Sequence, residues 1–374
     1  MPATNAAQTT PPDEEIVTQI QGRVGYITLN RPRALNALSL GMVRRMLAVL
    51  REWAVDDRVA AVALRGQGKE GPFGLLCAGG DIRFLHQAAL AGDSRLDDFF
   101  TEEYTLNHLI HTYPKPYIAF MDGVVMGGGM GVSQGAGLRI VTERTRMAMP
   151  ETAIGLFPDV GGGFFLSRTP GRTGEYLALT GNVIGAADAV QTGLADIAID
   201  SQALPAIWDD LADWRWDDAA ALRQELARRH APASALAPAV LAHGRIDEFF
   251  GAPDVGQLIQ ALESADNDWA RETAATLRKR SPLMLQVVLE LIRRARTLGL
   301  ADDLRLERSL VRRCFTVRPG AAGETVEGIR ALAVDKDHQP RWNPARIEEV
   351  TPEQVAAYFE PVWSTQDHPL RELA

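Results

Sequence analysis

Cysteine is scarce: the 374-residue chain holds two, Cys77 and Cys314, with no Cys-x-x-Cys spacing. This excludes a disulfide framework and a cysteine-based zinc site, and predicts free thiols in a reducing compartment. Long apolar runs are missing as well. Nothing approaches the ~18–20 residues that a membrane span needs, so no membrane partner is expected. The first fifteen residues, MPATNAAQTTPPDEE, contain no Lys or Arg and no apolar core. They read as neither a secretory signal nor an Arg-rich transit peptide, and residues 1–15 are predicted to form a disordered tail of a cytoplasmic protein. Positive charge is in deficit too: 39 Lys and Arg against 48 Asp and Glu leave a formal net charge of −9, which argues against a nucleic-acid partner. The seven histidines, among them His108 and His111, show no ligand spacing backed by carboxylates, and no metal is expected.

What remains, 46% hydrophobic and 23% charged residues, is the composition of a globular protein able to bury a large core. Ile16 to Gln21 and Arg23 to Leu29 read as a hairpin about Gly22. Pro32 stops the second strand, and Ser39 is placed to cap a helix from Leu40 to Val55, whose Met42, Met46, Leu47 and Leu50 recur at helical spacing. A strand from Val59 to Leu64, a helix after Asp81, a helix from Leu96 to Thr112, a strand from Tyr117 to Met121, a helix from Gly128 and a strand from Leu138 to Thr142 follow. This alternation predicts an α/β core over residues 16–200 with largely parallel pairing. From Thr173 onward helical signals dominate, broken by a strand at Ala195 to Ile199, so residues 201–374 are predicted to be a helical C-terminal region packing on the core. Trp208, Trp214 and Trp216 are expected to be core residues there.

The chemistry concentrates between Lys115 and Arg168. A buried strand runs into Gly127-Gly128-Gly129, and Glu151 and Asp159 follow on glycine-flanked loops. Adjacent glycines let backbone N–H groups approach a ligand with no Cβ in the way, and a helix starting there leaves its first N–H groups without internal partners. A second glycine pair, in Cys77-Ala78-Gly79-Gly80-Asp81, follows the other apolar strand. Two such loops, each aiming one N–H at a carbonyl oxygen, make an oxyanion hole, and two loop carboxylates beside it make an acid/base or nucleophile set. Two rival motifs fare worse. Gly131-Val132-Ser133-Gln134-Gly135 fits the GxSxG nucleophile elbow, but Ser133 falls inside the expected helix rather than at a strand-to-helix turn. A dinucleotide fingerprint would need glycine where Gln134 stands.

The segments CAGGDI, MDGVVMGGGMG and AMPETAIGLFPDVGGGFFL resemble the crotonase superfamily of acyl-CoA enzymes, and within it most closely its 3-hydroxyisobutyryl-CoA hydrolase branch. NRPRALNAL, GEYLALTG and EGIRALAVDKDHQPRWNP extend the resemblance from about residue 15 to about residue 360. It implies an α/β fold built as a crotonase-like spiral of ββα units with a helical C-terminal region. It also implies an oxyanion hole from the N–H groups of Gly80 and Gly128, with Glu151, after the AMP motif, at the reacting carbonyl. Glu103, the second Glu of EEY, would contact the acyl group, although a Glu pair on a helix is ordinarily a solvated face. Coenzyme A would lie along Arg33, Ala34, Leu35, Ala78, Gly79, Asp81 and Ile82, with Arg31, Arg33 and Lys336 as candidates for its phosphates.

One departure is informative. Enoyl-CoA hydratases carry a second glutamate four positions after the first glycine of the run, and here that position is Gly131. Asp159 supplies the second carboxylate from a different loop, as in the hydrolase pattern. The expected reaction is therefore hydrolysis of a small acyl-CoA thioester, with Glu151 either attacking the carbonyl or activating water and Asp159 assisting. A hydratase or isomerase on the same fold is the alternative, and a non-enzymatic acyl-CoA binder a third reading. No cofactor is expected beyond coenzyme A, which is part of the substrate. A homo-oligomer is possible.

Overall fold

The structure, a computed structural model, describes residues 14–230, 237–241 and 243–374. Residues 1–13 of the expected tail lie outside them. Glu14 and Glu15, which the sequence reading places in that tail, are instead engaged: the Asn30 side chain donates to the Glu14 carbonyl at 3.0 Å, and the Glu15 carboxylate accepts from Ser39 at 2.6 Å.

The hairpin forms as expected from β1 (Ile16–Gln21) and β2 (Val24–Leu29). The Ser39 hydroxyl accepts from the Met42 N–H and opens α1 (Leu40–Val55). Next come β3 (Ala61–Gly66), β4 (Leu75–Cys77), α2 (Ile82–Ala91), α3 (Arg95–His111), β5 (Tyr117–Met121), β6 (Val124–Met126), α4 (Gly128–Gln134), β7 (Leu138–Val141), β8 (Arg146–Ala148), a 3-10 turn (Glu151–Ile154), α5 (Gly162–Leu166) and β9 (Ile197–Ala198). The six-stranded sheet has the order β1-β2-β3-β5-β7-β9, antiparallel only at its first pair. A three-stranded parallel sheet, β4-β6-β8, stands beside it. Each of β3, β5 and β7 lies in the large sheet, the next strand lies in the small one, and a helix or helical turn follows. That is the repeated ββα unit. The sequence reading assigned no strand to these three-residue segments, since three residues are too few to display a period of two.

The central strands of the large sheet, β2, β3, β5 and β7, are buried on both faces, as parallel strands usually are, whereas β1 at one edge is exposed along its second half. Val24 and Tyr26 point to one side, Ile27 and Leu29 to the other, and β3 and β5 repeat the division. Helices Leu204–Asp210 and Ala219–Arg229 cover the first side with Ile207, Trp208, Leu222 and Leu226. Trp208 is core, as expected: Tyr26 donates to its carbonyl at 3.0 Å, and the Arg65 guanidinium sits 4.2 Å from its ring centre. The other side merges with the buried faces of helices Pro282–Ala295 and Leu300–Thr316 into one continuous core, so the C-terminal region shares its interior with the α/β part.

Candidate active site

The two glycine loops meet. Leu38 N–H donates to the Gly79 carbonyl at 2.8 Å and Asp81 N–H to the Leu38 carbonyl at 3.0 Å, which pins the 77–81 loop to the start of α1 and leaves the Gly80 N–H outside that ladder. Gly79 has φ +118°, a region closed to residues with a side chain, and a Cβ there would come 3.9 Å from the Gly128 nitrogen. Gly127, at φ +49°, turns the chain from β6 into α4, so that Gly128 occupies the first helical position, where an N–H has no intrahelical partner.

Three carboxylates converge on this backbone. A Cβ at Gly127 would lie 2.9 Å from Glu151 Oε1, and one at Gly128 would lie 2.8 Å from Glu103 Oε1. Only hydrogen at these two positions lets the acids close over the chain. Asp159 joins them from the loop before α5 and accepts from the Tyr104 hydroxyl at 2.7 Å. Glu103, Glu151 and Asp159 are all buried, and Glu103 Oε1 and Glu151 Oε2 have no hydrogen-bond partner among the described residues. With Ile82, Leu85, Phe99, Phe100, Ile154, Leu156, Val160 and Leu332 they line a cavity of about 150 Å³, room for a small acyl group.

Burial, then the charges of Asp159 and Glu151, push the Glu103 carboxyl well above the ordinary range, and burial with the Asp159 charge does the same to Glu151. Burial lifts Asp159 to about 6, against the pull of the Tyr104 hydroxyl that favours its ionised form. Three acids this close do not all ionise together, so the charge of one raises the pKa of its neighbours. Glu102, one residue from Glu103, is the solvated member of the pair and bonds Arg44 at the surface.

The loop expected to carry coenzyme A comes together beside the cavity. Ala78 N–H donates to the Leu35 carbonyl at 3.0 Å, which sets Arg33, Ala34 and Leu35 next to Ala78, Gly79, Asp81 and Ile82. The two arginines separate. Arg31 pairs with Glu15 at 3.0 Å and Asp81 at 2.8 Å, while Arg33 is exposed with no ion pair among the described residues. Arg31 is therefore spent on holding the loop, and Asp81 is spent with it, since its other oxygen caps α2. Lys336 is likewise exposed without an ion pair among the described residues.

The family model described as enoyl-CoA hydratase/isomerase matches residues 24–359. The chain belongs to this family. Within it, the chain is 39% identical over 351 residues to the Xenopus tropicalis protein named 3-hydroxyisobutyryl-CoA hydrolase, mitochondrial, covering 93% of this chain and 89% of that one. It is 38% identical over 354 residues to the Arabidopsis thaliana protein named probable 3-hydroxyisobutyryl-CoA hydrolase 3, covering 93% and 92%. Among solved structures it resembles one described as a carnitinyl-CoA dehydratase from Mycobacterium thermoresistibile, with a TM-score of 0.82, 39% identity and coverage of 94% and 97%. A second, described as an enoyl-CoA hydratase from Rhodobacter sphaeroides 2.4.1, gives a TM-score of 0.80, 37% identity and coverage of 93% and 98%.

Inside the family frame, Gly131 is more than a missing glutamate. A Cβ there would stand 2.7 Å from Asn107 Nδ2 and 2.7 Å from Val160 Cβ, so the place of a hydratase's second acid is filled by other side chains. Ser133, the rival nucleophile, is buried in α4 and donates to the Gly129 carbonyl at 2.7 Å. His111 packs against Gly135, and His108 contacts the Ala374 carbonyl at 3.0 Å.

Sequence reasoning missed Tyr104, Asn107, Leu332 and the acids of the Leu300–Thr316 helix. For two of these groups a signal existed. Glu103 and Asn107 share a buried stripe with Phe99, Phe100 and Ile110, and Asp303 and Glu307 share one with Leu304, Leu310, Val311 and Cys314. Polar residues on an apolar stripe are costly unless the fold uses them.

Proposed function

We propose that this chain is an acyl-CoA thioester hydrolase, and that its substrate is 3-hydroxyisobutyryl-CoA, a step of valine catabolism. The observation that carries the reading is the pairing of Glu151 with Asp159 over two glycine loops, in a site whose Gly131 corner is closed to a second glutamate. The relatives' hydrolase names support it. The N–H groups of Gly80 and Gly128 would polarise the thioester carbonyl and take the developing oxyanion. Glu151, made more basic by burial, would either attack that carbon to give a mixed anhydride or take a proton from the water that attacks it. In the water route the C–S bond breaks as the tetrahedral centre collapses, and the departing thiolate takes up the proton that Glu151 removed from the water, leaving coenzyme A and the free acid. In the anhydride route the thiolate leaves first; water then adds to the mixed anhydride and cleavage of its C–O bond returns the Glu151 carboxylate and the free acid, one proton of that water passing to the thiolate. Asp159, held by Tyr104, would orient the attacking group. Glu103, unpartnered at the end of the cavity, would hold the acyl hydroxyl. Arg33 and Lys336 would meet the phosphates of coenzyme A.

The solved structures named as a dehydratase and a hydratase keep a second reading alive, hydration of an enoyl-CoA by Glu151 with a single partner acid. A paired assay separates them. Release of thiol from 3-hydroxyisobutyryl-CoA, lost by about 10²–10⁴-fold in Glu151→Gln and with no hydration of crotonyl-CoA, is the expected result. Hydration without thiol release would overturn the hydrolase reading. The chain's compartment is part of the proposal too: the cytoplasm is the expectation, whereas the Xenopus tropicalis relative is named mitochondrial. Among the described residues no helix is long and apolar enough to cross a membrane.

A further inference from the structure

The turn that carries Asp159 is gripped from the C-terminal region. Val160, a β-branched residue, has φ +58°, and Gly161 follows at φ +86°, so two successive residues are left-handed. Only one of them is a glycine, and a branched side chain does not take this conformation unless its surroundings impose it. The surroundings are Glu307. Its Oε2 accepts from the Gly161 N–H at 2.7 Å and its Oε1 from the Gly163 N–H at 2.9 Å, while Asp303, one helical turn earlier, accepts from the Phe164 N–H at 2.7 Å. Both acids are fully buried, on a helix about 140 residues further along the chain. Burying a carboxylate is expensive, and this one is buried where its two oxygens can take both N–H groups of a single strained turn.

The next residue on the same helix holds the other half of the site. Arg308, buried, donates to Thr101 Oγ1 at 3.0 Å and to Asp97 Oδ1 at 2.7 Å, both on α3, which carries Glu103 and Tyr104. Adjacent residues of one helix thus hold the element that presents Asp159 and the element that presents its hydrogen-bond donor.

We propose that Glu307 is a positioning residue for the reaction: by taking the N–H groups of Gly161 and Gly163 it sets the Asp159 carboxylate within reach of Tyr104 and the reacting carbonyl. This rests on the hydrolase reading. Glu307→Gln is the informative change, because the amide has one acceptor oxygen and turns an NH2 group toward the second backbone N–H.

The test compares wild type, Glu307→Gln, Glu307→Asp and Leu310→Ala in thiol release from 3-hydroxyisobutyryl-CoA across pH, with thermal unfolding of each. Leu310 is buried on the same helix and serves as the control for lost stability alone. Glu307→Gln is expected to lower kcat tenfold or more with KM within threefold, and to move the acid limb of the kcat profile upward, since a displaced Asp159 loses the Tyr104 bond that favours its ionised form. Leu310→Ala is expected to lower the unfolding temperature and leave that limb in place. Wild-type kcat and an unmoved limb in Glu307→Gln would overturn the proposal, as would kcat losses that merely follow unfolding temperature. If Glu307→Gln does not fold, Glu307→Asp, which keeps both acceptor oxygens but retracts them by one methylene, decides by the same limb. A wild type that releases no thiol speaks against the hydrolase reading instead; displacement of Asp159 is then read from the proton titration of the cluster, which Glu307→Gln is expected to shift upward and Leu310→Ala to leave unchanged.

Discussion

The Tyr104 hydroxyl donates to the Asp159 carboxylate at 2.7 Å, joining α3 to a loop 55 residues later, with both groups buried. Hydrogen bonding to the ionised form pulls the Asp159 pKa down, and burial pushes it up to about 6. Activity that needs ionised Asp159 is therefore lost as pH falls through about 6. Tyr104→Phe removes the downward pull, so the acid limb should move to higher pH. We expect kcat to fall about tenfold near pH 6 and less at pH 8, in line with the worth of one hydrogen bond to a charged group. A pH series of thiol release on the two proteins measures it.

Glu103 should show function and stability in opposition. Its folded pKa is raised above the unfolded value by burial and by Asp159 and Glu151, so ionising it in the folded state costs stability at high pH and nothing below its unfolded pKa. Glu103→Gln removes that cost. The variant is expected to unfold a few degrees higher than wild type at pH 8, given that about 1 kcal/mol moves a large domain by roughly 2–4 °C. The gap should close toward pH 4. The same substitution should raise KM for 3-hydroxyisobutyryl-CoA, because the amide offers one acceptor oxygen in place of two. Calorimetry at two pH values and steady-state kinetics test both halves.

Restoring a hydratase-like glutamate should fail. A Cβ at Gly131 meets Asn107 and Val160 at 2.7 Å, so even Gly131→Ala overpacks the α3–α4 contact and is expected to cost about 1–3 kcal/mol. Gly131→Glu should be less stable still and should not hydrate crotonyl-CoA. Gain of hydration in a folded Gly131→Glu protein would show that the corner is more open than its packing implies.

Arg31 and Arg33, two residues apart, should behave differently. Arg31 bridges Glu15 and Asp81 and holds the loop, whereas Arg33 is exposed with no ion pair among the described residues. Arg33→Ala, like Lys336→Ala, is expected to raise KM for the full coenzyme A thioester several-fold, more at low salt than at high salt, and to leave KM for a pantetheine thioester unchanged. Arg31→Ala should lower stability and affect both substrates. Kinetics with the full and the truncated thioester at two ionic strengths separate these outcomes.

What the sequence determined by itself is whatever local stereochemistry or a short periodic pattern decides. The hairpin about Gly22, the Ser39-capped helix from Leu40 to Val55, the glycine loops at 79–80 and 127–129, and Glu151 and Asp159 as the loop acids were legible because each is specified within a few residues. The tertiary structure alone decided the rest. The strands Leu75–Cys77, Val124–Met126 and Arg146–Ala148 exist because they pair with one another, and alone they are too short to be strands. Arg31 and Arg33 look alike until Glu15 and Asp81 claim one of them. Tyr104 acquires a partner, and Glu307 a turn to hold, only when segments about 55 and 140 residues apart are desolvated together. Burial makes an unpaired acid costly and a paired one decisive, and burial is a property of the assembled fold.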